Sequence, residues 1–126
     1  MKVLIVDDDT IVLESCKRIL ELEGIEVTLT SSAHEALELL AGKSYDAMLV
    51  DVIMPEYDGI YLMGSVRKQW PDMPVIVMSG YPTPEVMARG RHAGAFYFRA
   101  KPFDPDELLD AVHAAGESAK KQEELR

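Results

Sequence analysis

The chain has 126 residues, of which 48% are apolar and 28% charged, and its formal net charge at pH 7 is −9. These values predict one globular domain with a sizeable core and leave no room for a second. The negative charge argues against nucleic acid or an anionic membrane as a direct partner, because phosphate contacts need clustered Lys and Arg. The single Cys16 cannot form an internal disulfide, and the apolar run at residues 3–6 is too short for a signal peptide or membrane span. We therefore expect a cytoplasmic protein.

Short apolar runs alternate with helix-period segments five times along the chain. The runs at residues 3–6, 47–50, 75–78 and 95–98 are continuous, which predicts strands that are covered on both faces. Residues 26–30 alternate instead, with apolar Val27 and Leu29 between polar neighbours, which predicts an edge strand. The alternation predicts an α/β fold, a five-stranded parallel sheet with helices on both faces.

Local signals predict where the five helices start and stop. Ser32 and Glu35 form a capping box before the second helix, and Thr83 with Pro84 caps the fourth. Asp104, Pro105 and Glu107 cap the fifth. Gly90 is predicted to interrupt the fourth helix, so we expect that helix to be weak. We assign residues 1–116 to the domain and residues 117–126 to an extension of the last helix, a linker or a tail.

Polar side chains follow four of the five predicted strands. Because the carboxyl ends of parallel strands share one edge of the sheet, these side chains are expected to meet there. They are Asp7, Asp8 and Asp9 after the first strand, Asp51 after the third, Ser79 after the fourth and Lys101 after the fifth.

Several carboxylates in one crevice repel one another unless they protonate or bind a cation. Mg²⁺, or Mn²⁺ in its place, is the natural cation, because it takes one or two carboxylates and bridges to phosphate. Asp8 and Asp51 suit direct binding, with Asp7 as a water-mediated ligand or an orienting group. A carboxylate beside the cation could then attack phosphorus, while Lys101 and Ser79 hold the remaining phosphoryl oxygens.

These residues, taken with their neighbours, resemble the signature of response regulator receiver domains, the CheY-like superfamily of two-component signalling. The resemblance covers about residues 2–116 and implies the flavodoxin-like strand order 2-1-3-4-5. The matching motifs are Asp7-Asp8, Asp51 with Met54-Pro55 and Asp58-Gly59, Ser79-Gly80, and Lys101-Pro102-Phe103.

The resemblance also implies a role for each matching residue. Asp51 is implied to be the phosphoacceptor, and Lys101, Ser79 and the Gly80 backbone are implied to bind the phosphoryl group. The metal ligands implied are Asp7, Asp8, Asp51 and the backbone carbonyl of Ile53. Ser79 and Phe98 are implied to form the switch, although Phe98 by itself also fits a core residue.

The implied function is a signalling switch that accepts a phosphoryl group from a sensor histidine kinase or phosphotransfer protein. It would then act on an output domain or partner protein. Ile11 and the loop at residues 102–105 are where the resemblance places kinase docking. Charged residues of the fourth helix, fifth strand and fifth helix could form a homodimer face: Arg89, Arg91, Arg99, Asp106, Glu107 and Asp110.

Two other functions fit parts of the pattern. A phosphatase of the haloacid dehalogenase type also carries its nucleophilic aspartate after a first strand. With Asp7 and Asp9 as its acidic pair, however, it needs Thr at position 11, and Thr10 is one residue early. A pseudo-receiver that works without phosphorylation is the second, and the intact acidic, hydroxyl and lysine positions weigh against it.

Overall fold

A computed structural model describes residues 1–54, 57–80, 83–101 and 104–124 of the chain. Its strands are β1 (Lys2–Val6), β2 (Glu26–Thr30), β3 (Ala47–Asp51), β4 (Ile53–Met54), β5 (Tyr57–Asp58), β6 (Val75–Ser79) and β7 (Tyr97–Ala100). Its helices are α1 (Thr10–Leu22), α2 (Ala33–Gly42), α3 (Gly59–Gln69), α4 (Pro84–His92) and α5 (Pro105–Glu124).

Five of the strands form one parallel sheet in the order β2-β1-β3-β6-β7. Counted along the chain, these five strands have the order 2-1-3-4-5, so the predicted fold is confirmed. A separate antiparallel ribbon of β4 and β5 was not predicted. Each of its strands has two residues, which is too short to give a periodic pattern.

The core has two layers, one on each face of the sheet. Alternate residues of β1 serve both, since Val3 and Ile5 pack with α1 and α5, while Leu4 and Val6 pack with α2 and α3. Strands β1, β3 and β6 are buried along almost their whole length. This two-sided burial explains why their sequences are continuous apolar runs.

The two edges of the sheet differ in how well the sequence predicted them. The predicted edge strand β2 is at an edge, with Val27 and Leu29 half-buried. The prediction for the fifth strand was wrong in its start and in its burial, because β7 begins at Tyr97 and only its two central residues, Phe98 and Arg99, are half-buried. It is the opposite edge of the sheet, so its apolar residues are only partly covered.

Side chains cap the second and fourth helices. Ser32 Oγ accepts a hydrogen bond from Glu35 N at 3.2 Å, and Thr83 Oγ1 accepts one from Val86 N at 3.2 Å, as predicted. The second bond of the predicted capping box differs, because Ser32 N donates to Thr30 Oγ1 at 3.1 Å. The prediction that Gly90 interrupts α4 was wrong. Gly90 lies inside the helix and is buried, because the ring of Phe98 packs against it.

Helix α5 continues through residues 117–124, so the polar end of the described chain is helical. Within the described ranges, the structure contains no helix with the length and apolar character needed to cross a membrane.

Candidate functional site

The carboxyl edge of the parallel sheet brings the predicted site residues together. Asp7 directly follows β1, Asp51 and Ser79 are the last residues of β3 and β6, and Lys101 directly follows β7. Asp7 and Ser79 are fully buried, and Asp51 is 8% exposed. Charged and polar groups with so little contact with water must find partners within the protein.

Lys101 is the partner shared by the two buried carboxylates. Its Nζ lies 2.6 Å from Asp7 Oδ2 and 3.3 Å from Asp51 Oδ2. Burial acts to lower the pKa of Lys101, but the hydrogen bond to Asp7 and the charges of Asp51 and Asp7 together raise it above the ordinary lysine value. The ammonium is therefore positively charged at neutral pH.

Asp7 is held at three points. Its backbone N–H donates to the Thr30 carbonyl at 3.2 Å. Its Oδ1 accepts a hydrogen bond from Asp9 N at 2.9 Å, and its Oδ2 accepts one from Lys101 Nζ. Both carboxylate oxygens of Asp7 thus have a protein partner, which suits an orienting group better than a direct metal ligand.

The acidic groups fit a divalent cation. Asp7, Asp8 and Asp51 each offer a carboxylate oxygen, and these oxygens lie within 4.8 Å of one another. Asp8 is exposed, so a bound cation at this edge could also keep water ligands, as Mg²⁺ prefers. Asp9 has a different role, because its Oδ1 accepts hydrogen bonds from Ile11 N and Val12 N and caps α1.

The remaining predicted residues lie around this carboxylate group. Lys101 N donates to the Ser79 carbonyl at 2.8 Å, and Gly80 is exposed at the bend that follows. Ile53 lies in β4, two residues after Asp51. Phe98 is half-buried against Gly90. Three motif residues, Pro55, Pro102 and Phe103, lie outside the described residues.

Gly59 contributes to the site in a way that the sequence did not reveal. A Cβ atom at Gly59 would overlap the carbonyl oxygen of Asp51. Gly59 N also donates to the Val52 carbonyl at 2.8 Å, and Val52 N donates to the Met78 carbonyl at 3.0 Å. The start of α3 therefore packs directly on the backbone of Asp51. The sequence carries no sign of this contact, because it joins the first residue of α3 to the last residue of a different element, β3.

Comparisons with known proteins agree with this geometry. The family model described as "Response regulator receiver domain" matches residues 3–113. The response regulator MprA of Mycolicibacterium vanbaalenii is 36% identical over 129 aligned positions, which cover 94% of this chain and 56% of that protein. The chain thus spans about half the length of the curated relatives that it matches.

Solved structures show the same fold. A CheY-like response regulator receiver domain protein from Methanospirillum hungatei is 34% identical, with a TM-score of 0.91 over 96% of this chain and 97% of that one. The receiver domain of NtrC4, solved as a beryllofluoride-activated dimer, is 29% identical, with a TM-score of 0.89 over 94% and 98% of the two chains. These matches favour a signalling switch over the phosphatase considered above. The chain belongs to the response regulator receiver domain family.

Proposed function

We propose that Asp51 accepts a phosphoryl group from a sensor histidine kinase or phosphotransfer protein, in a reaction that requires Mg²⁺. The observation that carries this proposal is the sharing of one ammonium by two buried carboxylates, with Asp8 beside them. One positive charge cannot neutralise three negative ones. The site therefore favours a dication, and with it a ligand that carries further oxygen atoms.

Each residue of the site has a chemical task in this proposal. The cation would be held by Asp8, Asp51 and the Ile53 carbonyl, with Asp7 acting through water or as an orienting group. When bound, Mg²⁺ offsets the negative charge on the phosphoryl oxygens. A carboxylate oxygen of Asp51 attacks phosphorus, and the bond from phosphorus to the donor's histidine nitrogen breaks. The product is an acyl phosphate on Asp51.

Lys101 and Ser79 would hold the transferred group. The Lys101 ammonium already lies 3.3 Å from Asp51 Oδ2, so it needs only a small movement to bind a phosphoryl oxygen. Ser79 is the last residue of the neighbouring strand β6, and Gly80 follows it. The Ser79 hydroxyl and the Gly80 N–H would bind the other phosphoryl oxygens. Positioning and charge neutralisation supply most of the catalysis in such a reaction.

The conformational output would pass from Ser79 to Phe98 and α4. Movement of the Ser79 hydroxyl toward the phosphoryl group would change the packing of Phe98, whose ring contacts α4 at Gly90. A complete reversal of a two-state population from 1:99 to 99:1 needs about 5.5 kcal/mol. Charge-assisted hydrogen bonds to the phosphoryl group are worth about 1.5–3 kcal/mol each, so two of them approach this value.

The test is phosphorylation by acetyl phosphate with Mg²⁺, followed by intact mass. We expect the wild-type chain to gain one phosphoryl group and Asp51→Asn to gain none. Asp9→Asn is the matched control, because Asn also caps helices well and Asp9 has no part in the transfer. Equal labelling of Asp51→Asn and wild type would refute the acceptor assignment. An unlabelled wild type would favour the pseudo-receiver.

We further propose that the phosphodonor docks on the α1 side of the site. Ile11 is 78% exposed in the first turn of α1, two residues beyond Asp9, and so offers an apolar contact beside the acidic group. Residues 102–105, of which 102 and 103 lie outside the described residues, are proposed to complete this surface. An output domain or partner protein would bind the phosphorylated conformation.

We also propose that the protein acts in the cytoplasm, and the free, buried Cys16 is in keeping with a reducing compartment.

A homodimer through α4, β7 and α5 is a separate proposal. Two arginines, Arg89 and Arg91, lie on α4, and Arg99 lies on β7. The acidic residues Asp106, Glu107 and Asp110 lie on α5. The NtrC4 receiver domain is a dimer in its beryllofluoride-activated form, which supports self-association in the activated state. Each such pair contributes only about 0–1 kcal/mol, so the dimer should weaken as salt increases. Sedimentation of the beryllofluoride-treated chain at low and high salt tests this, and a monomer at both would contradict it.

A further inference from the structure

We propose that Thr30 is a positioning residue for the metal and phosphoryl site, because its hydroxyl builds the turn that holds Asp7 in place. This inference rests on the proposed function above. Thr30 is the last residue of β2 and does not belong to the acidic group itself. It is one of the few buried polar residues among those that the structure describes, with 4% of its surface exposed.

The Thr30 hydroxyl closes the connection between β2 and α2. Its Oγ1 accepts a hydrogen bond from Ser32 N at 3.1 Å and donates one to the Ser32 carbonyl at 3.3 Å. Ser32 in turn caps α2 through its hydroxyl and its carbonyl, which accepts from Ala36 N at 3.0 Å. A single buried hydroxyl therefore ties the end of β2 to the start of α2.

The carbonyl of the same residue holds Asp7. Thr30 is opposite Val6 in the parallel β1–β2 ladder, and its carbonyl accepts the hydrogen bond from Asp7 N at 3.2 Å. Because β2 is an edge strand, no further strand restrains Thr30 on its outer side. The turn to Ser32 supplies the restraint that a neighbouring strand would otherwise give.

The position of Asp7 matters to the whole site. Its two carboxylate oxygens bind Asp9 N and Lys101 Nζ, so a shift of its backbone moves the adjacent Asp8 and the ammonium together. Mg²⁺ requires near-ideal octahedral geometry and tolerates such shifts poorly. Groups that orient metal ligands from outside typically account for about 10- to 100-fold in affinity.

The experiment compares three variants in Mg²⁺ titrations and in residue-resolved amide hydrogen exchange. Thr30→Val keeps the shape of the side chain but removes the hydroxyl, and Thr30→Ser restores the hydroxyl. Thr28→Val is the matched control, because it makes the same change on the same face of β2, two residues from the turn. Thr30→Ala serves as a second deletion of the hydroxyl if Thr30→Val does not fold.

We expect Thr30→Val to bind Mg²⁺ about 10-fold more weakly than wild type. The amides of Asp7 and Ser32 should lose exchange protection, while that of Leu4 in the middle of β1 keeps its protection. Thr30→Ser and Thr28→Val should match wild type in both measurements.

Two outcomes would overturn the inference while the proposed function survives. One is wild-type Mg²⁺ affinity in Thr30→Val together with an unchanged Asp7 amide. The other is an equal loss in Thr28→Val, which would indicate general loosening of β2. If the wild-type chain itself neither binds Mg²⁺ nor accepts phosphate, the proposed function fails, and this inference fails with it.

Discussion

The Lys101 ammonium lies closer to one of the two buried carboxylates than to the other. It lies 2.6 Å from Asp7 and 3.3 Å from Asp51, so Asp7 carries the stronger interaction. The carboxylate proposed as nucleophile is the one that the ammonium holds less tightly.

The raised pKa of Lys101 affects how the free energy of unfolding depends on pH. The ion pairs of Lys101 contribute fully to that free energy below the pKa of an unfolded lysine. That contribution is lost only as pH rises through the still higher folded pKa, so it persists at neutral pH.

A second buried group gives a prediction at the same scale. Burial, and then the charge of Asp7, raise the pKa of the Cys16 thiol to about 11 from an ordinary value of 9.0, against an opposing effect of Lys101. Between these two pH values the unfolded chain loses the thiol proton while the native chain keeps it. The native state then binds more protons, so its free energy of unfolding falls as pH rises.

We expect this term to lower the free energy of unfolding by about 1.4 kcal/mol per pH unit in that window. Cys16→Ala should lack this term, so its urea-unfolding free energies should fall less steeply than those of wild type over the same pH values. Equal slopes of the free energy of unfolding against pH in the two proteins would contradict the raised pKa of Cys16.

At the scale of the elements, a glycine lies at a packing contact in both α3 and α4, but the two contacts differ. A Cβ atom at Gly59, the first residue of α3, would overlap the Asp51 carbonyl oxygen, so this contact needs glycine. A Cβ atom at Gly90, inside α4, would make only an ordinary contact with the ring of Phe98. Because glycine inside a helix is unfavourable by about 1 kcal/mol relative to alanine, α4 carries this cost although its packing has room for a methyl group.

Gly59 and Gly64 offer a matched pair within α3. Gly59→Ala places a methyl group on the Asp51 carbonyl, and we expect it to destabilise the protein by about 1–3 kcal/mol and to slow phosphorylation of Asp51. Gly64→Ala meets open space and should stabilise the helix by about 1 kcal/mol. Urea unfolding of both variants measures the difference. Similar effects in the two would show that the contact with Asp51 carries no cost.

Gly90→Ala tests the packing of α4. The added methyl group would lie 3.5 Å from Phe98 Cδ2, an ordinary contact, so we expect a gain in stability of about 1 kcal/mol. Because the methyl group also fills the space beside the ring, α4 should respond less to activation. Chemical shift changes in α4 on addition of beryllofluoride report this response, and changes as large as in wild type would argue against a packing role.

At the scale of the whole molecule, the buried residues described in α5 end at Ala115, while the helix continues to Glu124. Beyond that point Ala119 and Lys120 line a cleft with Met1 and Trp70. This cleft lies at the amino ends of the parallel strands, opposite to the acidic group at their carboxyl ends. The end of α5 thus touches the domain but adds little to its core. We propose that residues 1–116 form the domain and that residues 117–126 are an extension of the last helix, a linker or a tail.

A chain that ends after residue 116 tests this division. We expect the shortened chain to fold. Its free energy of unfolding should be lower by about 1–2 kcal/mol, because the truncation removes only a few partly buried side chains from the cleft. Its phosphorylation by acetyl phosphate should match that of the longer chain, because the acidic site lies at the carboxyl ends of the strands, away from this cleft. A truncated chain that unfolds would place the domain boundary further along.

The local chemistry of the chain was predictable because it depends on residues close together in sequence. Apolar runs indicated the strands of an α/β fold, alternation identified β2 as an edge, and capping residues such as Ser32 and Thr83 marked helix starts. Polar residues at strand ends located the acidic site, because parallel strands must bring their carboxyl ends to one edge. The strand order itself came with the family resemblance.

Only the tertiary structure decided the contacts between residues far apart in the chain. These contacts include the closer pairing of Lys101 with Asp7, the packing of Gly59 on Asp51, and the burial of Gly90 under Phe98. The exposed edge position of β7 also depended on what packs beside it. Sequence patterns report the local environment of each residue, whereas these contacts depend on distances that arise when the sheet and both helix layers are assembled.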